Sequence, residues 1–298
     1  MLSTTQRAVC ATRRSPLAMM QSHAVAECLA GRGITTTMLG VTTTADRDQR
    51  PIERMDSVNV FVSELERALR EGRADYAVHS CKDLPSTLAT DMHLAAVGMR
   101  EDARDAFCSE RVPTFADLPA GSLVATSSPR RRAQLEAMRP DLRYESIRGN
   151  VETRLRKLRD GECDAIVLAM AGLRRLRTGA TYVVPFSADD LVPAVGQGAI
   201  AVETRAHDEP LGAEICSAFD DPSARLCVSC ERAALAAMHA GCSAPIGVYA
   251  ELRDGLMNVR GFAAVQATAS VRARLEGNVT SIEEAQALGR AMAAELSR

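Results

Sequence analysis

Asp75-Tyr76-Ala77-Val78-His79-Ser80-Cys81-Lys82-Asp83-Leu84-Pro85 is the stretch on which the fold turns. Its first four residues are a short buried-strand run, and the polar segment from His79 to Pro85 follows at the strand's carboxyl end. Open α/β sheets bind ligands beyond that edge. Upstream, residues 7–11 read as a strand, Ser15-Pro16 opens a helix over about 16–30, Gly31 and Gly33 end it, and the Thr-rich stretch 34–43 reads as another strand. Residues 45–59 are polar and aperiodic and read as a loop, after which Val62, Leu65 and Leu69 repeat at helical spacing up to Gly72. Downstream, a second cycle begins near 104. It has a strand at 123–125, the turn Thr126-Ser127-Ser128-Pro129, a helix over 130–139, a strand over 142–147, a helix capped by Asn150 and a buried strand over 164–169. Such alternation means α/β layers. Past residue 220 the pattern changes to an Ala-rich helix over 225–240, strand-like segments near 245–252, 256–265 and 269–275, and a last helix opened by the capping box Ser281/Glu284. This is a small α+β unit.

Composition narrows the function. The 298 residues carry a net charge of −2 with 46% hydrophobic residues, as a globular protein does. The longest apolar run, 165–171, falls far short of the roughly 20 residues of a membrane-spanning helix, so no membrane segment is expected. Near-neutral charge argues against nucleic acid as a partner. Positive charge is instead local: residues 130–159 hold ten Arg or Lys against four Asp or Glu. Basic residues in the first turn of the 130–139 helix oppose its dipole, a cost that an anion bound at those amides and the neighbouring hydroxyls would offset. Nine cysteines without a disulfide framework fit a reducing compartment, and with no apolar leader the expected location is cytoplasmic. Cys227 and Cys230 form one CxxC, read either as two small helix residues or as a redox or metal pair. No second CxxC completes a zinc site, and no metal is expected. Taken from the residues alone, Lys82 beside Asp83 and an Arg/Ser/Thr cradle point to binding of a polyanionic small molecule.

Five blocks then occur in order. They are Ala11-Thr12-Arg13 with Ser15-Pro16-Leu17-Ala18, His79 to Pro85, Thr126-Ser127-Ser128 with Arg130-Arg131, Arg148-Gly149-Asn150 with Arg154, and Gly241-Cys242 with Pro245-Ile246-Gly247. Together they resemble the signature of the porphobilinogen deaminase (hydroxymethylbilane synthase) family. The resemblance implies two α/β domains of the type II periplasmic-binding-protein kind around a cleft, plus a small C-terminal α+β domain. The implied boundaries are 1–99 with 198–216, 104–197, and 220–298. It also implies stepwise condensation of four porphobilinogen molecules with release of ammonia, then hydrolytic release of hydroxymethylbilane to the next enzyme of tetrapyrrole biosynthesis. The implied cofactor is a dipyrromethane held by a thioether to Cys242, a position suited to a soft thiolate nucleophile. Asp83 matches the catalytic carboxylate, which would stabilise the azafulvene cation left by ammonia and move protons. Arg13, Lys82, Arg130, Arg131, Arg148, Arg154 and Arg175 would bind acetate and propionate side chains, helped by Ser15, Gln21, Thr126, Ser128 and Gly149.

The chain departs from the family pattern at Asp56-Ser57-Val58-Asn59, where the family carries a Gly/Lys loop, and at Pro129 and Ala240. Arg132, Arg139, Arg156 and Arg159 read as solvated surface charges. With no heptad or apolar stripe, a monomer is expected. The rival readings are a binding protein that holds a pyrrole polycarboxylate without turnover, and a slow, diverged homologue.

Overall fold

The computed structural model describes residues 6–43, 62–240, 244–266 and 269–298. The chain opens with β1 (Gln6–Arg13), α1 (Pro16–Ala30) and β2 (Ile34–Val41), followed by α2 (Ser63–Arg70), β3 (Tyr76–Ser80) and β4 (Met92–Val97). Ser15 caps α1 by accepting from the Ala18 amide, with Pro16 as its first residue. Residues 98–104 then cross to a second unit. It comprises β5 (Asp105–Ser109), β6 (Leu123–Ala125), α3 (Pro129–Met138), β7 (Arg143–Glu145), α4 (Val151–Arg159), β8 (Ala165–Ala169), α5 (Met170–Leu176) and β9 (Tyr182–Pro185). Residues 186–199 cross back, and β10 (Ile200–Arg205) and α6 (Glu209–Phe219) follow. The final unit is α7 (Pro222–Ala237), β11 (Ile246–Arg253), β12 (Leu256–Gln266), β13 (Ala269–Asn278) and α8 (Ile282–Leu296).

The two larger sheets share one topology. The first runs β2-β1-β3-β10-β4 and the second β7-β6-β8-β5-β9. In each, three strands are parallel, a fourth is antiparallel to them, and the fifth is antiparallel to the fourth. The antiparallel member is the strand that follows a crossing: β5 enters the second sheet from the first, and β10 returns to lie between β3 and β4. The first sheet is therefore completed only after the second has been built. The third sheet is a plain meander, β11-β12-β13, with α7 and α8 on one face. Strands β4, β5, β9 and β10 lack the alternation that would announce them. All five residues of β5 are buried, so no polar face marks it.

In the third unit, Asp221 caps α7 from the Ala224 amide and Pro222 starts the helix, so it begins earlier than the composition shift suggests and stops at Ala237. Cys227 and Cys230 pack in the core with Met257, Val259 and Met292, and burial pushes the Cys227 thiol up to about 11. They are packing residues. Gly289 lets α8 lie directly on α7, since a Cβ there would overlap the Cys230 carbonyl oxygen. The capping box of Ser281 and Glu284 forms as expected. No described helix is long and apolar enough to cross a membrane.

One buried carboxylate ties the units together. Glu231 on α7 is fully buried; its Oε1 accepts from Arg100 Nη1 at 2.6 Å and the Ala250 amide at 2.8 Å, and its Oε2 from the Gly196 amide at 2.7 Å. Arg100 lies in the first crossing and Gly196 in the second. Arg100 also donates to the Gln197 carbonyl at 2.8 Å, so both crossings and the third unit meet at one point.

Candidate active site

The carboxyl ends of β1 and β3 face those of β6 and β8, together with the start of α4, across a cleft of about 1040 Å³. β3 ends at Ser80 and tightens into a 3₁₀ turn, Cys81–Asp83, which presents Lys82 and Asp83 to the cleft while Cys81 turns into the core. Ser80 donates to Gln21 Oε1 at 3.1 Å. Gln21 is buried and lines the cleft rather than lying on the exposed face of α1.

The opposite wall is cationic. Arg148 precedes Gly149, whose φ of +113° suits glycine, and a Cβ there would stand 2.6 Å from Thr153. That tight turn leads into the Asn150 cap, whose side chain accepts from the Thr153 amide at 2.8 Å and starts α4. One turn on, Arg154 donates from Nε to the Gly149 carbonyl at 2.8 Å, so its guanidinium stays at the helix mouth. Arg175 donates to the Gly198 carbonyl at 2.7 Å. Among the described residues, nine Arg or Lys side chains line the cleft against two acids, Asp83 and Glu152. Burial, with Arg131 alongside, pushes Lys82 down to about 8. Burial and then Arg131 and Arg148 lower Arg154 to about 10, opposed by Asp83 from across the cleft. Burial lowers Arg175 as well.

The Arg130-Arg131 pair differs from the expectation that its charge awaits an external anion. The protein supplies a carboxylate of its own. Asp105, at the start of β5 and fully buried, accepts from Arg130 Nη1 at 2.8 Å, from Arg131 Nε and Nη2 at 2.9 and 2.7 Å, and from Gln197 Nε2 at 2.9 Å. Burial alone would raise its pKa, but the two guanidinium groups overcome this and hold it well below the ordinary carboxylate range. Thr126 also departs from expectation: it is buried, its Oγ1 accepts from the Ser128 amide at 3.3 Å, and it is not among the residues lining the cleft. Its neighbour Ser127 lines the cleft, with its hydroxyl bonded to Ser146 and to the Ile147 backbone. Ser128 caps α3 by accepting from the Arg131 amide and also lines the cleft, as do Arg13 and Ser15. Arg139 is not simply solvated, for it donates to the carbonyls of Phe115, Ala116 and Leu118 and pairs with Asp141.

Sequence reasoning missed Asp105 and the role of Gln197. An Asp opening an apolar strand carries no motif, and neither does a single Gln between two glycines. Cys242 and the segment 56–59 lie outside the described residues.

Two α/β lobes around a cleft with a crowd of cations and one Lys-Asp turn define a protein built to hold a small molecule bearing several carboxylates. A linear pyrrole chain, with an acetate and a propionate on each ring, is such a molecule, and the donors present suit it. The comparisons make the class specific. Residues 9–213 match the family described as "Porphobilinogen deaminase, dipyromethane cofactor binding domain", and residues 225–298 match its C-terminal domain. The porphobilinogen deaminase of a Roseiflexus species is 44% identical over 98% of this chain and 96% of its own length. That of Thermobifida fusca is 44% identical over 96% of this chain and 91% of its own. Among solved structures, an ABC-transporter periplasmic substrate-binding protein from Coxiella burnetii aligns with 73% of this chain and 93% of its own, at 14% identity and a TM-score of 0.46. The chain belongs to the porphobilinogen deaminase family.

Proposed function

We propose that the cleft joins four porphobilinogen units head to tail, with Asp83 as the catalytic carboxylate and the facing cations as carboxylate ligands. The observation that carries this is the meeting of Lys82 and Asp83 from one lobe with Arg148 and Arg154 from the other in a single cleft. Each addition breaks the aminomethyl C–N bond and releases ammonia. It then forms a C–C bond to a pyrrole α-carbon, which loses its proton. Asp83 stabilises the cation left by ammonia through the pyrrole N–H and takes part in the proton movements. Arg13, Lys82, Arg148, Arg154 and Arg175 bind the acetates and propionates, with Ser15 and Ser128 as hydroxyl donors. Arg130 and Arg131, two cations on one internal carboxylate, also line the cleft and leave a net positive charge there, and Arg131 keeps donors for a substrate carboxylate. A dipyrromethane, when bound, supplies the pyrrole carbon that receives the first unit, and Cys242 is the residue we assign to hold it.

The boundaries we assign, 1–99 with 198–216, 104–197 and 220–298, put Asp83 with Lys82 and Arg13, the cleft arginines from Arg130 to Arg175, and Cys242 on three separate domains. We further assign the chain to the cytoplasm as a monomer whose product passes to the next enzyme of the pathway. The test is the intact mass of the purified chain beside Cys242→Ser, followed by turnover of Asp83→Asn. Two pyrrole units of added mass that vanish in Cys242→Ser, with kcat reduced about 10²–10⁴-fold in Asp83→Asn, are expected. Absence of any adduct after incubation with porphobilinogen would show a binding protein instead.

A further inference from the structure

We infer that Asp105 is a positioning residue for the cations that hold substrate, fixing Arg131 directly and Lys82 through Gln197. The inference rests on the proposed role of the cleft in binding pyrrole carboxylates. Asp105 touches no part of the cleft itself. Its effect is on the groups that do.

Two features of the hydrogen bonding carry the argument. Arg131 places Nε and Nη2 on the same Asp105 oxygen and Nη1 on the Val167 carbonyl at 2.8 Å, which fixes the guanidinium plane and leaves donors at Nη1 and Nη2 uncommitted to these partners. Gln197, buried like Asp105, spends both amide N–H groups, one on the Ala103 carbonyl at 2.7 Å and one on Asp105. Its orientation is thereby decided. The carbonyl oxygen, not the amide nitrogen, meets Lys82 Nζ at 3.3 Å. A neutral side chain at 105 would release this constraint, because an amide can turn its NH₂ toward the lysine and repel it. It would also leave two buried guanidinium groups without their counter-charge, and these would move apart.

The location gives the network its consequence. Asp105 follows the first crossing between the lobes, Gln197 precedes the end of the second, Lys82 belongs to the first sheet's edge and Arg131 to the second unit. The spacing of carboxylate ligands on the two walls is therefore set at the crossings, where the lobes are joined.

The test uses the full chain as purified, with Asp105→Asn and Gln197→Met. The probe is a pyrrole carrying acetate and propionate but no aminomethyl group, so its Kd does not depend on turnover. Both variants are expected to weaken its binding about tenfold and to raise KM for porphobilinogen by a similar factor, with kcat changed less than about threefold. Folded variants with lowered Tm but Kd and KM within about twofold of the parent would make Asp105 merely structural and overturn the inference. Should Asp105→Asn fail to fold, Gln197→Met, which buries no charge, decides by the same criterion. Failure of the parent chain to bind the probe would instead overturn the reading of the cleft on which the inference stands.

Discussion

Lys82 shows how a single side chain reports its surroundings. Burial and the neighbouring guanidinium groups depress it from 10.5 to about 8, whereas Asp83 pulls the other way and does not win. The folded chain thus gives up this proton near pH 8 while the unfolded chain keeps it to about 10.5. Between those values the unfolded state binds more protons, so the stability cost of the buried ammonium is fully present below about pH 8 and is relieved as pH rises through the window. Binding runs the opposite way. KM for porphobilinogen should climb above about pH 8 as the lysine loses its charge, and Lys82→Arg, which cannot deprotonate there, should flatten the climb. Steady-state kinetics from pH 7 to 9.5 check this; a pH-independent KM in the parent would remove Lys82 from the carboxylate ligands.

Among the elements, α4 shows a local rule and a functional group coinciding. The positive φ of Gly149, the Asn150 cap and the bond from Arg154 to the Gly149 carbonyl form one unit, so strain at the turn is passed to the arginine. Gly149→Ala should cost about 1–3 kcal/mol in denaturant unfolding, since the new Cβ meets Thr153 and the backbone leaves the glycine-favoured region. It should also weaken binding of the unreactive pyrrole. Asn150 as cap, Ser15-Pro16 at the start of α1 and the Ser281/Glu284 box are legible from residue order alone, because capping joins neighbours in sequence. The antiparallel strands of the two larger sheets, β4, β5, β9 and β10, were not legible. β10 is a strand because β3 and β4 flank it, and both lie more than 100 residues upstream.

For the whole molecule, Glu231 decides how three units stay in register. Removing it strips Arg100 of its counter-charge and leaves the Gly196 and Ala250 amides unpaired in the interior. Glu231→Ala should cost about 3–5 kcal/mol in denaturant unfolding, the range found on breaking buried ion pairs. Glu231→Gln, which retains an acceptor, should lose less. Equal stability of Glu231→Ala and the parent would show that the crossings are held elsewhere.

Residue order by itself determined the α/β class, the starts of α1, α4 and α8, the Lys82-Asp83 turn at a strand end, the concentration of arginine in 130–159 and, through five short blocks, the family. Each depends on neighbours in sequence or on residue types in a fixed order. Only the tertiary structure decided that two of the cleft arginines are held by an internal acid. Arg130 and Arg131 read in sequence as two cations awaiting an anion, but Asp105, 25 residues before Arg130, is brought beneath them by the pairing of β5 with β8. Gln197 reaches Lys82 across a separation of 115 residues because the chain crosses between lobes twice. Long-range partners of a charge are set by sheet topology, and no local pattern of residues encodes them.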